Sequence, residues 1–408
     1  MTDPEHQPRV LLVNRFYWPD EAATGQLLTD LAEGLAARGH RIVVFASHDH
    51  NPTTPQRETH RGVDIIRVRS TRWGRRSLAA KAVDYATFTV AIRSALSAEA
   101  QPGDRIVAMT DPPALVFIAA AAARRTGVGA VHWLQDIHPE ITLALSPNRL
   151  LARLCRPWIR WRNTAWKHAR TCVAISRDMA ALVAENGVPE ARVRVIPNWA
   201  PGGSSLAPVA LEKNLLRQHW GLEGKFVVAY SGNLGRVHVF GPLLAAAALL
   251  RNDPGIVFLF IGAGPQRATL EKQAQLKGLT NVQFHPAQPQ ARLAESLSVA
   301  DVHLVTLRPG CERLVYPSKL YGIAAVARPV VFIGPLECEL ARTVQQGGFG
   351  VAVPVHDAGA LAGAIRALQA DPAHRAAMGK SAAEWAQATG GLAAALTQWE
   401  GLLAVGPP

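Results

Sequence analysis

Short, uninterrupted apolar runs separated by helix-length segments recur in two successive series, and this pattern limits the fold more than any other feature of the sequence. The first series is Val10 to Val13, Ile42 to Ala46, Asp64 to Val68, Asp104 to Met109, Gly129 to Leu134, Thr171 to Ile175 and Val193 to Pro197. A Pro/Gly/Ser-rich stretch, Asn198 to Pro208, then intervenes. The pattern restarts with Phe226 to Tyr230, Ile256 to Ile261, Val282 to His285, Val302 to Thr306, Val330 to Ile333 and Gly350 to Val353. Continuous apolar runs of this length belong to strands buried on both faces, as in parallel sheets covered by helices. Two such series predict an α/β protein of two Rossmann-like, doubly wound domains facing a cleft, residues 1–198 and 199–389. Pro197-Asn-Trp-Ala-Pro-Gly-Gly reads as the hinge, and the amphipathic stretch Leu392 to Leu403, within 390–408, is expected to pack back on the first domain. A chain of 408 residues also suits two cores better than one.

Composition narrows the class. Apolar residues make up 49% and charged residues 18%, yet no apolar stretch approaches the roughly 20 residues that span a bilayer. The polar start Met1-Thr-Asp-Pro-Glu-His-Gln-Pro lacks a signal-peptide core, so a cytoplasmic location is expected. Cys155, Cys172, Cys311 and Cys338 show no zinc or redox spacing and read as reduced thiols. The net charge of +12 suits an anionic partner: nucleic acid, a phospholipid surface or a phosphorylated substrate. A GC-rich genome that favours arginine is the plainer explanation.

Chemistry concentrates after strands of the second series. Tyr316-Pro317-Ser318-Lys319 places a lysine at the head of a predicted helix, where unpaired N–H groups and a partial positive charge favour an anion. Tyr230-Ser-Gly232-Asn233-Leu-Gly235-Arg236 joins a strand to a helix through glycines that admit a ligand close to the backbone, and Arg236 can fork onto phosphate. A plain tight turn explains those glycines equally well. Gly262-Ala-Gly264-Pro forms a second such turn, but its missing final glycine argues against a dinucleotide such as NAD.

Taken in order and spacing, Tyr230-Ser-Gly-Asn-Leu-Gly-Arg, Ile261-Gly-Ala-Gly-Pro, Ala300-Asp301-Val-His-Leu-Val and Pro317-Ser-Lys-Leu-Tyr resemble the donor half of the family four retaining glycosyltransferases. The resemblance is to bacterial enzymes of surface polysaccharide assembly, of the L-fucosamine and colanic acid type. It extends over nearly the whole chain, including Val13-Asn-Arg-Phe-Tyr-Trp-Pro-Asp-Glu21 through Gly25-Gln26. It implies the GT-B fold and a nucleotide-sugar donor, taken as UDP-linked. It also implies retention of configuration and a polyprenyl-diphosphate-linked saccharide as acceptor. No cofactor or metal is implied, and the sequence lacks an Asp-x-Asp motif. Arg236 and Lys319 are assigned to the diphosphate, with Gly232, Asn233, Gly235, Gly262, Gly264, Pro317 and Ser318 around the donor. His238 is an accessory cation or a packed side chain.

Departures from the family pattern bear on the sugar. Leu314 and Gly322 stand where relatives carry two glutamates, so Glu339, at the start of a helix, is expected to contact donor hydroxyls or to serve that helix alone. In the first domain Gln135 stands where the resemblance places a histidine near the reacting sugar, and it is expected at the acceptor. Asp136 is left to orient or deprotonate the acceptor, or with Glu140 to cap the next helix. Glu21 and Gly25 are expected at the acceptor and diphosphate, with a turn role open for Gly25.

The basic charge gathers between Leu150 and Arg170, where Leu150, Leu151, Leu154, Trp158, Trp161 and Ala165 share one helical face and Arg153, Arg156, Arg160, Lys167 and Arg170 another. Tryptophans between apolar and cationic faces suit an anionic membrane surface, making Trp73, Leu154, Trp158 and Trp161 candidates to face it on the cytoplasmic side. An ordinary packed helix with a solvated basic face is the alternative, and Pro157 either interrupts that helix or starts another. A second basic-aromatic stretch runs from Arg72 through Arg75, Arg76, Lys81, Tyr85 and Phe88 to Arg93. Nucleic acid is disfavoured because the aromatics interleave with leucines instead of offering stacking faces. Two rival functions remain: a GT-B enzyme that does not transfer, such as a UDP-sugar 2-epimerase, and a non-catalytic assembly subunit.

Overall fold

A computed structural model describes residues 8–48, 53–71, 73, 78–146, 148–200 and 206–404. The polar N-terminus, the Pro-Gly-Gly of the expected hinge, and Arg72, Arg75 and Arg76 lie outside these. The chain divides into unit 1, Met1–Pro201 with Leu392–Pro408, and unit 2, Gly202–Gly391.

Unit 1 runs β1 (Val10–Val13), α1 (Ala23–Ala37), β2 (Ile42–Ser47), β3 (Arg57–His60), β4 (Val63–Val68), α2 (Leu78–Glu99), β5 (Arg105–Ala108) and α3 (Leu115–Thr126). It continues through β6 (Val131–Leu134), α4 (Glu140–Leu145), α5 (Arg149–Lys167), β7 (Thr171–Ala174), α6 (Arg177–Glu185) and β8 (Val193–Val195). The sheet order is β3-β4-β2-β1-β5-β6-β7-β8, parallel except for β3. Strand order therefore reverses at the β1/β5 pair, where Val10 lies opposite both Ile42 and Arg105. Every residue of β1, β2 and β6 is buried, the double burial that the continuous apolar runs imply.

Unit 2 runs α7 (Leu215–His219), β9 (Phe226–Ser231), α8 (Gly241–Leu249), β10 (Ile256–Ile261), α9 (Arg267–Leu276), β11 (Val282–His285), α10 (Leu293–Ser298) and β12 (Val302–Thr306). It ends with α11 (Lys319–Ala325), β13 (Val330–Ile333), α12 (Glu339–Gln346), β14 (Gly350–Val353), α13 (Ala358–Ala370) and α14 (Pro372–Ala388). Its parallel sheet has the order β11-β10-β9-β12-β13-β14, reversing at β9/β12. Alternate strand residues feed two cores: Val228, Tyr230, Phe258 and Phe260 on one face, Val227, Ala229, Val257 and Leu259 on the other. Asp301 has a framework role, accepting the Val227 N–H at 2.8 Å and pairing with buried Arg217 at 3.1 Å.

The chain returns to unit 1 in α15 (Gly391–Ala404). Trp399 packs edge-on against Trp133, 5.1 Å between centroids, and Trp133 stacks on Trp199 at 5.9 Å. Glu400 receives Arg38 at 2.5 Å and His40 at 3.1 Å. Of the expected hinge, Asn198 and Trp199 are instead buried anchors of unit 1, with the Trp199 indole donating to Asp30 at 2.9 Å.

Candidate functional site

In unit 2 the loops after β9 and β10 are laced together. Gly232 N–H donates to the Ile261 carbonyl at 2.9 Å, Leu234 N–H to Ala263 at 2.8 Å, and the Gln266 amide to Gly235 at 2.6 Å. A Cβ at Gly262 would sit 2.1 Å from the Gly232 oxygen, and one at Gly264 would sit 2.6 Å from Asn233 Oδ1. Both residues also have strongly positive φ. Gly262 and Gly264 are therefore required by this loop-to-loop packing whatever they do for a ligand. Gly235 is buried, whereas Asn233 and Arg236 are exposed on the first loop.

Lys319, first residue of α11, lies against that loop, because a Cβ at Gly232 would be 3.4 Å from its Nζ. The stem is half-exposed, but Nζ is buried without a hydrogen-bond partner, 3.5 Å from the centroid of the Tyr230 ring. Burial pushes the Lys319 pKa well below that of a free lysine. The ring face returns part of that cost, and an anion would return more. Phe240 and His238 hold Tyr230 edge-on at 4.9 and 5.7 Å. His238 is buried, its Nδ1–H donating to the Thr306 carbonyl at 2.7 Å, and burial followed by Lys319 lowers its pKa to about 3. It is a neutral packing residue, not an accessory cation. Pro317 is buried and Ser318 half-buried at the helix start, where the Ser318 side chain makes no cap bond.

Glu339 opens α12 half-buried, and its charge helps raise the Tyr321 pKa after burial has done most. The α12 N-cap is Cys338, which makes no side-chain cap bond. At Gly322 a Cβ would meet Leu297 Cδ1 at 3.1 Å, so a side chain added at this position would press on a leucine.

In unit 1 the loops after β1 and β5, at the strand-order reversal, carry a cluster the sequence analysis did not single out. Arg15 N–H donates to the Asp111 carbonyl at 3.0 Å. Tyr85 lies beside the Asp111 carboxyl, with Arg15 at 5.1 Å and Lys81 at 5.3 Å from its ring. Asp111 Oδ1 is buried without a hydrogen-bond partner, and burial raises its pKa against the opposing pull of Arg15, Lys81 and Tyr85. The Thr110 hydroxyl accepts the Gln135 and Asp136 N–H groups at 3.4 and 3.2 Å, tying the β6 loop to this one. Asp136 opens onto a cavity of about 910 Å³, lined also by Asp111, Lys81 and His138. The surrounding walls and then Asp111 push its pKa up to about 6. Because the carboxyl still meets water in the open cavity, the upward direction holds throughout, and the full shift needs a bound molecule closing over it.

Other expected residues are placed differently. Gln135 is buried and exchanges two amide hydrogen bonds with Asn198, at 3.0 and 2.8 Å, so its side chain is committed to the framework and not to an acceptor. Glu140 caps no helix with its side chain: it holds buried Arg162 through two 2.6 Å bonds, and Arg162 lies 4.0 Å over Trp166. Gly25 is buried within α1, where a Cβ would be 3.1 Å from that of Phe16, so it permits close packing of the preceding loop. Glu21 is exposed.

Helix α5 passes through Pro157 without a break and buries Arg162, Ala165 and Trp166. Leu150, Leu154 and Trp161 stand 64 to 68% exposed, as does half of Trp73, while Trp158 meets Phe117 edge-on at 5.1 Å. No helix among the described residues is long and apolar enough to cross a membrane.

Comparison with known proteins follows the two-unit division. Residues 23–199 match the model of the glycosyl transferase 4-like domain, and residues 212–385 that of glycosyl transferases group 1. The chain is 26% identical, over 90% of its length and 93% of the relative's, to an Escherichia coli K12 protein named as a colanic acid biosynthesis glycosyl transferase, WcaI. It is 29% identical to the glycosyltransferase WbjE of Pseudomonas aeruginosa, over 65% of this chain and 66% of the other. Among solved structures, sucrose-phosphate synthase from Thermosynechococcus elongatus superposes with TM-score 0.79 at 20% identity, covering 98% of each chain. Anabaena Alr3699/HepE in complex with UDP-glucose superposes with TM-score 0.73 at 18% identity, over 98% of this chain and all of the other. These likenesses establish the GT-B fold.

Proposed function

Given that the chain belongs to the group 1 glycosyltransferases, we propose that it moves a sugar from a UDP-linked donor, with retention, onto a polyprenyl-diphosphate-linked saccharide. The name of the colanic acid relative supports a role in surface polysaccharide assembly, and the UDP-glucose complex of the Anabaena neighbour supports the choice of nucleotide. The observation that carries the donor assignment is Lys319: a buried ammonium with no hydrogen-bond partner, stacked on Tyr230 and touching the Gly232 loop. Such a group gains most when negative charge develops beside it, as it does on a departing diphosphate. Arg236, exposed on the same loop, adds a second cation, and the reaction needs no metal. Asp136 receives or orients the acceptor hydroxyl, its raised pKa suiting a base near neutral pH. Transfer takes place at the cytoplasmic face of a membrane, with the enzyme held peripherally.

Release of UDP from UDP-sugars, with and without a polyprenyl-linked acceptor, tests this reading. Acceptor-dependent release with Lys319→Ala and Arg236→Ala each lowering turnover about 10²-fold or more is the expected result. Near-wild-type turnover in both variants would remove the donor assignment, and epimerised UDP-sugar without UDP would replace transfer with isomerisation.

A further inference from the structure

The cavity that holds Asp111 and Asp136 continues between two helices. Helix α2 turns Lys81, Ala82, Tyr85, Ala86 and Thr89 toward it, positions that share one helical face, and α5 supplies Leu154, Cys155 and Trp158 opposite. Ala82 and Ala86 are exposed, so the groove has room where a larger side chain would close it. Its volume of about 910 Å³ is that of a pocket for a sizeable organic molecule. The charged and titratable groups Asp111, Asp136, His138 and Lys81 lie near one another, while alanine, proline, leucine and tryptophan, with a few threonines, line the rest.

What surrounds the groove indicates its occupant. The two helices that form it also carry exposed large apolar side chains: Val83 and Val90 on α2, and Leu150, Leu154 and Trp161 on α5, with Trp73 just before α2 in sequence. Helix α5 carries Arg149, Arg153, Arg156, Arg160 and Lys167 and not one acidic residue. A mostly apolar groove that holds charged groups, flanked by a helix apolar toward it and cationic on its other face, matches a long-chain anionic amphiphile entering from a lipid surface. A protein partner of the same apolar character would have to leave that row of cations unmatched.

We propose that the groove between α2 and α5 is the slot for the first isoprene units of a polyprenyl-diphosphate acceptor, with Lys81 beside the diphosphate and the linked sugar at Asp111 and Asp136. This rests on the acceptor chemistry given above and adds where the lipid is held. The slot makes chain length, and not the sugar alone, a determinant of acceptor choice.

Filling it provides the test. Ala86→Trp and, independently, Ala82→Trp place an indole in the groove from exposed positions, and unchanged thermal unfolding verifies that each variant is folded. Binding of a long-chain polyprenyl diphosphate in detergent micelles is compared with that of butyl diphosphate by titration calorimetry, without any donor. Alongside, KM is measured for the same saccharide diphosphate carried on either chain. The slot predicts that each variant lowers the preference for the long chain about tenfold, in affinity and in KM, with a smaller effect on kcat. Wild-type chain preference in both folded variants overturns it, as does an equal loss of both chain lengths. Binding that is sensitive to the tryptophans without any sugar transfer would keep the slot and refute the transfer reading. Transfer with wild-type chain preference in the variants would do the reverse.

Discussion

Replacing Lys319 by methionine should make the ligand-free protein more stable and the enzyme much slower. Methionine preserves an unbranched stem in the same channel and removes only the ammonium. Burying that ammonium without a hydrogen-bond partner costs several kcal/mol, of which the Tyr230 face at 3.5 Å returns about 2. A net gain of about 2 kcal/mol on removing the charge follows. For a unit the size of Gly202–Gly391, this raises the melting temperature by roughly 4 to 8 °C. Turnover should fall about 10²- to 10³-fold, because the charge that was costly in the empty site is the one that meets the leaving diphosphate. Differential scanning calorimetry without nucleotide, paired with UDP release, reads both quantities. A variant that melts at or below the wild-type temperature would show that the ammonium is already compensated, and the argument from stored desolvation would fail.

Three further outcomes are expected. Gly262→Ala, which drives a Cβ to 2.1 Å from the Gly232 oxygen at positive φ, should cost about 3 kcal/mol or more in urea unfolding. Gly278→Ala, at positive φ but with open space, should cost only about 1. His132, His238 and His303 are buried, which lowers their pKa values to about 4, 3 and 4 from an ordinary 6.5, so between these limits the unfolded chain binds protons that the native one refuses. Stability is therefore complete above pH 6.5 and falls on acidification by up to about 1.4 kcal/mol per pH unit per histidine, and a urea midpoint unchanged from pH 7 to pH 5 would contradict this. With Asp136 pushed up to about 6 once the acceptor covers it, acceptor-dependent kcat should drop about tenfold per unit below pH 6, and UDP release without acceptor should lack that limb.

Strands of unit 2 were legible because double burial writes itself as an apolar run, and Ile256–Ile261, Val282–His285, Val302–Thr306, Val330–Ile333 and Gly350–Val353 have the limits read from sequence. Strand β3, Arg57-Glu-Thr-His60, was not legible, since an exposed edge strand has no apolar run to show. Its one signal is the Arg61-Gly62 turn, both residues at positive φ, which returns the chain antiparallel into β4. Lys319 and the Gly232 loop could be found because each sits in a local strand-to-helix motif. Asp111 and Arg15 could not, since their importance depends on which strands become neighbours, and that order is a tertiary fact. Gln135 misled for the same reason, its partner Asn198 lying at the far end of the unit's first segment.

The return of α15 to unit 1 sets an order of events during synthesis. Until α15 emerges, Gly34 lacks the Leu396 side chain that covers it, Arg38 and His40 lack Glu400, and Trp133 presents the face that Trp399 will occupy. A chain made from its N-terminus has by then produced all of unit 2, so the unit begun first is finished last. Its nascent form must persist with an open apolar seam, available to chaperones, while the other unit folds. Translation speed over the second unit thus governs how long the first remains exposed to misassembly.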